Sequence, residues 1–329
     1  MDIDIPHLCY STQSGYEADG NCRACMVEIK GERNLVASCI RKPAEGMEID
    51  TNSARSKKAR SMVFELLMTD QPKNSSAHDL QSNLLKWASA INGNVSSRFP
   101  TTPKPDVDNS HQAITVNLDS CINCNLCVQA CREVQVNDVI GMAYRGSKSK
   151  IVFDLDSELG ESTCVSCGEC VQVCPTGALM ESNLLNKSNV REHYPDRSVD
   201  TLCPFCGVGC QTNVKVKGDK IISIDGRDGP SNESRLCVKG RFGFDYISHP
   251  DRLLSPLIRI DSNTKSFDLK IDNSNIKDYF REASWEEALS LAAKNLKKIS
   301  DQYGGKSIAG FGSAKCSNEE AYLFQKLIR

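Results

Sequence analysis

The run Cys164-Val-Ser-Cys167-Gly-Glu-Cys170-Val-Gln-Val-Cys174-Pro175 carries the strongest structural signal in this chain. Three cysteines with two residues between neighbours allow one loop to supply three thiolates, and a fourth cysteine follows after three more residues. Iron accepts such soft ligands, and a cubane cluster needs four of them around a small volume. The spacing therefore predicts a [4Fe–4S] cluster.

An internal repeat of this run lies upstream, as Cys121-Ile-Asn-Cys124-Asn-Leu-Cys127-Val-Gln-Ala-Cys131. Because the later run continues into Pro175, the pair resembles bacterial two-cluster ferredoxins, in which the fourth cysteine of each run binds the other cluster. The resemblance implies one cluster on Cys121, Cys124, Cys127 and Cys174. It implies the other on Cys164, Cys167, Cys170 and Cys131. Arg132 replaces the usual proline after Cys131, which we treat as a tolerated variation.

Eight further cysteines form two more groups of four, and of the 17 cysteines only Cys316 stands alone. The first group is Cys9, Cys22, Cys25 and Cys39. The last group is Cys203, Cys206, Cys210 and Cys237. A zinc site is the alternative for the first group, whereas the x3 gap of the last group does not fit the paired C-x2-C knuckles of a zinc ribbon. Four groups predict a row of redox centres and hence a path for electrons.

Composition bounds the class of protein. The 329 residues are 40% hydrophobic and only 6% aromatic, which fits small modules that clusters help to hold together. A net charge of −2 predicts no nucleic-acid surface. No run approaches the roughly 18 apolar residues of a membrane span. The start Met1-Asp-Ile-Asp4 shows no signal peptide, which argues against a secreted disulfide framework and predicts a reducing, cytoplasmic compartment.

Hydrophobic periodicity and capping residues predict the regular elements. Helices are expected over 53–70, from Ser284 to about Ser300 and from Ser317 onward, the second opened by a Ser-Trp-Glu-Glu capping box. Strands are expected at 26–29, 214–216, 221–224 and 307–311. The polar segments 71–112 and 183–199 are expected to be linkers, with Pro100-Thr-Thr-Pro-Lys-Pro105 extended.

Two motifs resemble known domains. Gly20-Asn-Cys-Arg-Ala-Cys25 and Ala37-Ser-Cys39 resemble the ferredoxin-like domain that opens NADH dehydrogenase large subunits and NAD-linked formate dehydrogenases. That resemblance implies a β-grasp [2Fe–2S] module. The family has a hairpin and a helix before the first ligand, so we expect an N-terminally truncated module here, from a misplaced start or a fragment.

Leu202-Cys-Pro-Phe-Cys-Gly-Val-Gly-Cys210, Cys237-Val-Lys-Gly-Arg241 and His249-Pro-Asp-Arg-Leu253 resemble the [4Fe–4S] domain of molybdenum or tungsten bis-pterin oxidoreductases. In that family a lysine two residues after the last cysteine lies between cluster and pterin. The resemblance gives Lys239 this role, as a cofactor-binding relay. A solvent-exposed lysine on a β-turn is the alternative.

Taken together, the chain resembles the catalytic (alpha) subunit of cytoplasmic NAD-dependent formate dehydrogenases, in the molybdopterin oxidoreductase family. The segments 131–138, 141–145 and 312–320 support this resemblance. It implies an α+β multi-domain iron–sulfur protein with five parts. They are a [2Fe–2S] domain plus helix (1–70), a linker (71–112), a two-[4Fe–4S] ferredoxin domain (113–185), a bis-pterin-type [4Fe–4S] domain (199–256) and the beginning of an α/β molybdopterin domain (257–329).

The resemblance also implies cofactors, partners and a reaction. The cofactors are one [2Fe–2S] cluster, three [4Fe–4S] clusters and, in the full-length enzyme, a molybdenum or tungsten bis-molybdopterin guanine dinucleotide. Formate would be oxidised to carbon dioxide, with electrons passing to flavin- and NAD-binding iron–sulfur partner subunits. The alternatives are a non-catalytic electron-transfer module, or a subunit of another molybdopterin, hydrogenase-linked or NADH-dehydrogenase-like oxidoreductase.

Two features of the resembled family are expected to be missing. The cysteine or selenocysteine that ligates the metal would lie beyond this chain, so no catalytic residue is assigned, and Cys316 is interpreted as a small residue lining the approach to the pterin. The additional cluster of one histidine and three cysteines is not expected, because no cysteine lies between Cys39 and Cys121. His78 is then expected to be a polar residue beside a helix start. The other histidines, His7, His111, His193 and His249, lack ligand-like spacing.

Overall fold

A computed structural model describes residues 3–73, 77–91, 99–100, 105–260 and 270–329. The chain divides into two compact units. The first comprises residues 1–203 and 208–243, and the second comprises residues 204–207 and 244–329. No helix of the described residues is long and apolar enough to cross a membrane.

The first unit contains short strands and mostly short helices. Its strands are β1 (Met26–Ile29), β2 (Val36–Ala37), β3 (Ile49–Asp50), β4 (Ile114–Val116), β5 (Ile140–Ala143), β6 (Lys150–Phe153), β7 (Leu179–Glu181), β8 (Arg197–Leu202), β9 (Gln211–Lys217) and β10 (Lys220–Gly226). Its helices are α1 (Ala54–Thr69), α2 (Asn83–Ile91), α3 (Leu126–Gln129), α4 (Glu169–Val173) and α5 (Val238–Phe242). A π-helical turn, Ala130–Val134, follows α3 directly.

The region around the first cysteine group is a small antiparallel sheet with one long helix. β1 pairs with both β2 and β3, giving the order β2-β1-β3. The side chain of Ser53 caps α1 by accepting from the N–H of Ser56. Phe64, on the inner face of α1, is fully buried. The predicted strand 26–29 and the predicted helix 53–70 are confirmed.

The two ferredoxin runs, 121–131 and 164–174, are flanked in the chain by the strands of two antiparallel pairs. β4 pairs with β7, and β5 pairs with β6. The helices α3 and α4 each begin just before the third cysteine of a run and contact one another. Their buried side chains belong to one core with the interior of β4, β6 and β7. The internal repeat in the sequence is therefore also a structural repeat.

A three-stranded sheet follows along the chain, with strand order β10-β9-β8. Alternate residues of β9, namely Thr212, Val214 and Val216, are buried, as expected for a sheet with one covered face. The strand predictions at 214–216 and 221–224 are confirmed. The linker predicted over 183–199 is too long, because β8 already begins at Arg197 and pairs along its length with β9.

The prediction of a linker over 71–112 is wrong at Asn83–Ile91, where the structure has the helix α2. α2 packs Leu84 and Ala88 into the same core as Phe64. His78, predicted to be a polar residue beside a helix start, precedes α2 by five residues and is fully buried, with its Nδ1 2.7 Å from the carbonyl oxygen of Gly177. The predicted extended run 100–105 lies largely outside the described residues.

The second unit contains β11 (Leu257–Arg259), β12 (Phe280–Glu282), α6 (Ile276–Tyr279), α7 (Trp285–Tyr303) and α8 (Asn318–Ile328). The predicted helices from Ser284 and Ser317 are confirmed, and Ser317 with Glu320 forms a full capping box. At α7 only the serine half of the predicted box forms, because Glu287 pairs with Arg281.

The strand predicted at 307–311 is wrong. A short 3-10 turn, Gly305–Ser307, is followed there by irregular backbone. Among the described residues no strand pairs with this segment, and Phe311 is almost completely exposed. An apolar run forms a strand only where a partner supplies hydrogen bonds.

Candidate iron–sulfur centres

The first cysteine group is brought together as two close pairs. The N–H of Cys22 donates to the Sγ of Cys9 at 3.4 Å, and the Sγ atoms of Cys25 and Cys39 are 3.4 Å apart. These residues come from the loop before β1 and from the turn after β2. Each iron of a [2Fe–2S] cluster takes two protein ligands, so two pairs of thiols fit such a cluster.

The thiols of this group influence one another strongly. The hydrogen bond to Cys9 lowers the pKa of Cys22 to about 6, against the opposing effect of burial. The same bond raises the pKa of Cys9. Burial raises the pKa of Cys39 to about 12, and the bond to Cys25 adds to the shift. Because neighbouring buried thiolates repel one another, the set favours a bound cation to neutralise them.

The second centre gathers the first ferredoxin run and one cysteine from the other run. A small cavity has four cysteines in its lining, Cys121, Cys124, Cys127 and Cys174. Burial raises the pKa of Cys124, and the charge of Cys174 is the next contribution. Burial also raises the pKa of Cys127, with further contributions from Cys124, Cys121 and Cys174. Cys174 thus faces the thiols of the upstream run.

The third centre contains three cysteines of the downstream run and is expected to include Cys131 of the upstream run. Burial raises the pKa of Cys164 and of Cys167, and the charge of Cys131 raises both further. The fully buried Cys170 is influenced by Cys167, Cys164 and Cys131 in the same way. Cys131 is thus the cysteine of the upstream run whose charge acts on the three thiols of the downstream run.

The two loops share an unusual backbone that directs N–H groups at sulfur. Asn123 and Asn125 have φ of 53° and 72°, and the matching residues Ser166 and Gly168 have φ of 56° and 70°. The N–H of Asn123 donates to the Sγ of Cys121, and that of Ser166 donates to the Sγ of Cys164, both at 3.4 Å. Such concave runs of N–H groups bind anions, including iron–sulfur clusters.

The fourth cysteine group is divided between the two units, with Cys206 alone in the second. In the first unit, the N–H of Cys203 donates to the carbonyl oxygen of Cys210 at 2.9 Å. The Sγ of Cys203 lies 3.5 Å from where a Cβ on Gly240 would be, and Cys237 caps α5. These three cysteines are thus held near one another by β8, β9 and α5.

Lys239 lies on α5, with its side chain exposed. The alternative to a relay is therefore a lysine on a helix surface, not one on a β-turn. Cys316 lies in the second unit just before α8, and its thiol donates to the carbonyl oxygen of Ser313 at 3.1 Å. Neither observation tests the role that the resemblance implies for these residues.

Sequence reasoning missed one residue of this region. Arg241 was quoted only as part of a motif, but its side chain is completely buried. The available signal was its position four residues after the ligand Cys237. An arginine that close to a cluster loop is a candidate for burial, and a buried arginine needs a counter-charge. Its partner Glu169 is 72 positions away in the sequence and could not be identified from spacing.

No three His, Cys, Asp or Glu side chains of the described residues are arranged to bind one single metal ion. A cluster makes a different demand, because it distributes its thiolates over several iron atoms. Two pairs around the first centre, and four cysteines around one cavity at the second, satisfy that demand.

Glu181, in β7, is a buried carboxyl whose pKa is raised to about 7, mainly by burial and then by Asp225. Since the unfolded carboxyl titrates near 4.5, folding takes up a proton between pH 4.5 and about 7. Stability therefore falls as the pH rises through this window, and the full cost, about 3 kcal/mol, remains above it.

We expect Glu181→Gln to remove this cost. Its unfolding midpoint should match that of the parent near pH 4.5 and exceed it increasingly up to pH 8, as followed by chemical denaturation. Glu158→Gln, at an exposed position, is the control and should show no such divergence. A constant difference between Glu181→Gln and the parent across this pH range would contradict the prediction.

Comparison with known proteins gives four family matches in chain order. Residues 1–54 match a 2Fe-2S iron-sulfur cluster binding domain, and residues 120–178 match a 4Fe-4S dicluster domain. Residues 196–249 match the molybdopterin oxidoreductase Fe4S4 domain, and residues 252–329 match molybdopterin oxidoreductase. The chain therefore carries iron–sulfur modules followed by molybdopterin oxidoreductase sequence, as predicted.

Three relatives indicate what the chain is similar to. "Probable oxidoreductase YjgC" and "Putative formate dehydrogenase YrhE", both from Bacillus subtilis, are each 31% identical over 99% of this chain, which covers 35% and 36% of their lengths. "NADPH-Fe(3+) oxidoreductase subunit alpha" from Geobacter sulfurreducens is 27% identical over 100% of the chain and is covered to 36%. The chain spans about a third of the length of these relatives.

Proposed function

We propose that this chain is the electron-transferring part of a formate dehydrogenase catalytic subunit. The observation that supports the proposal is the cavity that Cys174 lines together with three cysteines of the upstream run, Cys121, Cys124 and Cys127, which is the grouping that crossed ligation requires. A two-cluster module built in this way serves to move electrons between sites. The formate assignment is supported by the name of a relative that is 31% identical.

The order of the modules gives the direction of the proposed path. Formate oxidation to carbon dioxide releases two electrons and one proton, and a bound molybdenum or tungsten bis-pterin supplies the redox chemistry of that step. In this path, Cys203, Cys206, Cys210 and Cys237 would hold the cluster nearest the pterin, the two ferredoxin runs would hold the next two clusters, and Cys9, Cys22, Cys25 and Cys39 would hold the cluster nearest a flavin-bearing partner that reduces NAD. The protein's contribution is to position the clusters and tune their potentials, which range from about −700 to +450 mV.

The residues of this chain prepare that path in two ways. The left-handed loops point N–H groups at the cysteine sulfurs, which stabilises the added negative charge of a reduced cluster. Burial of Cys124, Cys127 and Cys170 excludes water from two of the centres. Cluster ligation needs these cysteines to stay reduced and not to pair in disulfides, and we therefore propose the cytoplasm as the compartment.

We expect Lys239→Ala to slow reduction of the clusters by formate in the complete enzyme. In the proposed role the ammonium of Lys239 would hydrogen-bond the bound pterin, and loss of such a charged bond from the rate-limiting step would cost about 1.5–3 kcal/mol, or about tenfold to a hundredfold in rate. Stopped-flow bleaching of the cluster absorbance measures this rate. Lys220→Ala, another exposed lysine, serves as the control. An unchanged rate in Lys239→Ala would remove the assigned role.

The proposed function is tested by adding formate to the anaerobic holoenzyme. Bleaching of the iron–sulfur absorbance by formate alone supports it. The Geobacter sulfurreducens relative named for NADPH and Fe(3+) suggests a second candidate, an oxidoreductase subunit that receives electrons from a nicotinamide-binding partner. Bleaching by NADPH with the partner subunits, but not by formate, would favour that candidate and overturn the first.

A further inference from the structure

Arg241 is the largest side chain that is completely buried in the described residues. It lies in α5, four residues after Cys237. Its Nε donates to the carbonyl oxygen of Cys167 at 3.3 Å, and its Nη1 donates to that of Ile224 at 3.1 Å. The guanidinium is thus fixed against the loop that carries the downstream cysteine run.

Two carboxylates accompany this buried cation. Nη2 of Arg241 lies 3.5 Å from Oε2 of Glu169, and Nη1 lies 3.3 Å from Oδ1 of the half-exposed Asp225. Glu169 is itself only 1% exposed and accepts a 2.9 Å hydrogen bond from the hydroxyl of Tyr16. A cation and an anion are therefore held together away from water, where salt screens them little.

Both charges lie directly beside the third centre. Glu169 stands between Cys167 and Cys170 in the sequence, and Arg241 contacts the peptide of Cys167. The approach is so close that a Cβ on Gly168 would lie 2.9 Å from the side chain of Arg241. At this depth a unit charge acts on its surroundings much more strongly than it would in water.

We propose that Arg241 and Glu169 tune the reduction potential of the [4Fe–4S] cluster on Cys131, Cys164, Cys167 and Cys170, with opposite signs. Reduction adds one negative charge to the cluster. The guanidinium stabilises the reduced form and raises the potential, whereas the carboxylate destabilises it and lowers the potential. The inference rests on the cluster assignment in the proposed function, and it names the residues that set this step of the path.

One charge would be enough to shift the reduction potential of the cluster, and the pairing explains why two are present. Without Arg241, Glu169 would be a buried carboxylate that has lost its counter-charge, which is costly, and without Glu169 the guanidinium would keep only the half-exposed Asp225. Together, Arg241 and Glu169 join α5 to α4 through their ion pair. Their electric fields at the cluster do not cancel unless the two charges are equally distant from it, so a net effect on its potential remains. We classify both as positioning and tuning residues, since neither provides a thiolate.

The test is a redox titration of the whole chain, loaded anaerobically with iron and sulfide and followed by electron paramagnetic resonance at pH 8. We expect Glu169→Gln to raise the potential of one cubane. Removing Arg241 alone would leave Glu169 buried without its counter-charge, so the arginine is removed in the Glu169→Gln background. Adding Arg241→Met to Glu169→Gln should lower the potential of the same cubane again.

Each step should change the ratio of reduced to oxidised cluster at the parental midpoint about tenfold, which is 59 mV for one electron. Arg241→Lys keeps the charge and should stay close to the parent. Arg227→Met removes a half-exposed arginine paired with Asp200 and should shift the potential far less.

The outcomes separate this inference from the proposed function. Shifts in the same direction for both steps, or no shift in a chain that shows normal cubane signals, would overturn the tuning role alone. A parental chain that binds no iron–sulfur cluster would overturn the cluster assignment and the inference with it. Because Glu169→Gln and Arg241→Lys change little volume, they keep the test informative even if Arg241→Met folds poorly.

Discussion

The Cys174→Ala variant is expected to bind about four fewer iron atoms than the parent, and the lost cluster should be the one held by the upstream run. Cys174 lines the same cavity as Cys121, Cys124 and Cys127, although it lies beside Cys170 in the sequence. A [4Fe–4S] cluster that has lost one of its four thiolate ligands is expected to dissociate from the protein as a whole. Iron and sulfide analysis after anaerobic loading measures the effect.

Double variants show which thiols share a cluster. Adding Cys121→Ala to Cys174→Ala should cost no further iron, since both ligands belong to one cluster. Adding Cys164→Ala to Cys174→Ala should remove about four more iron atoms, since these ligands belong to different clusters. Cys316→Ala is the matched control and should keep the parental iron content. The opposite pattern in the two double variants would contradict crossed ligation.

The Phe64→Ala variant is expected to lower the free energy of unfolding by about 3–5 kcal/mol. Phe64 is 0% exposed and shares its core with Leu8, Cys9 and Leu84, so its removal leaves a cavity between α1, α2 and the first cysteine group. The midpoint of chemical denaturation of the iron-loaded chain should fall, and the [2Fe–2S] signal should be lost first.

Met62→Ala tests whether the effect depends on burial. Met62 lies on the same helix but is 46% exposed, so its truncation should change the free energy of unfolding by only about 0.5 kcal/mol. Equal losses in the two variants would mean that α1 contributes through its helical propensity and not through the packing of Phe64.

The cysteine groups could be predicted from the sequence because their geometry is mostly local. Two-residue gaps fix how three thiols of one loop can converge, and the repeat of the run implies a second loop of the same form. The left-handed residues Asn123 and Ser166 occupy equivalent positions in these loops. The long-range partners proposed for the two runs, Cys174 and Cys131, rest on the ferredoxin rule for the repeat and stay a prediction.

Features that depend on tertiary packing could not be predicted in this way. α2 lies in a segment whose Ser, Asn and Pro content indicated a linker, yet Leu84 and Ala88, four residues apart, form a buried helical face. His78 has a polar side chain and is nevertheless buried, where the carbonyl oxygen of Gly177 is the hydrogen-bond partner of its Nδ1. The ion pair of Arg241 and Glu169 joins distant elements, and neither residue reveals its partner locally.

The predicted strand at 307–311 failed for the converse reason. A short apolar run was interpreted as a buried strand, but strand formation needs a neighbouring strand to accept and donate backbone hydrogen bonds. In the second unit, β11 and β12 pair with each other. No strand of the described residues pairs with 307–311.

The most direct test of the whole account is Mössbauer spectroscopy, with iron and sulfide analysis, of the chain loaded anaerobically. Four clusters predict about 14 iron atoms per chain, about two of them in a [2Fe–2S] environment and the rest in [4Fe–4S] environments. A chain that instead binds about one zinc ion per cysteine group, with no acid-labile sulfide, would contradict the proposed electron path.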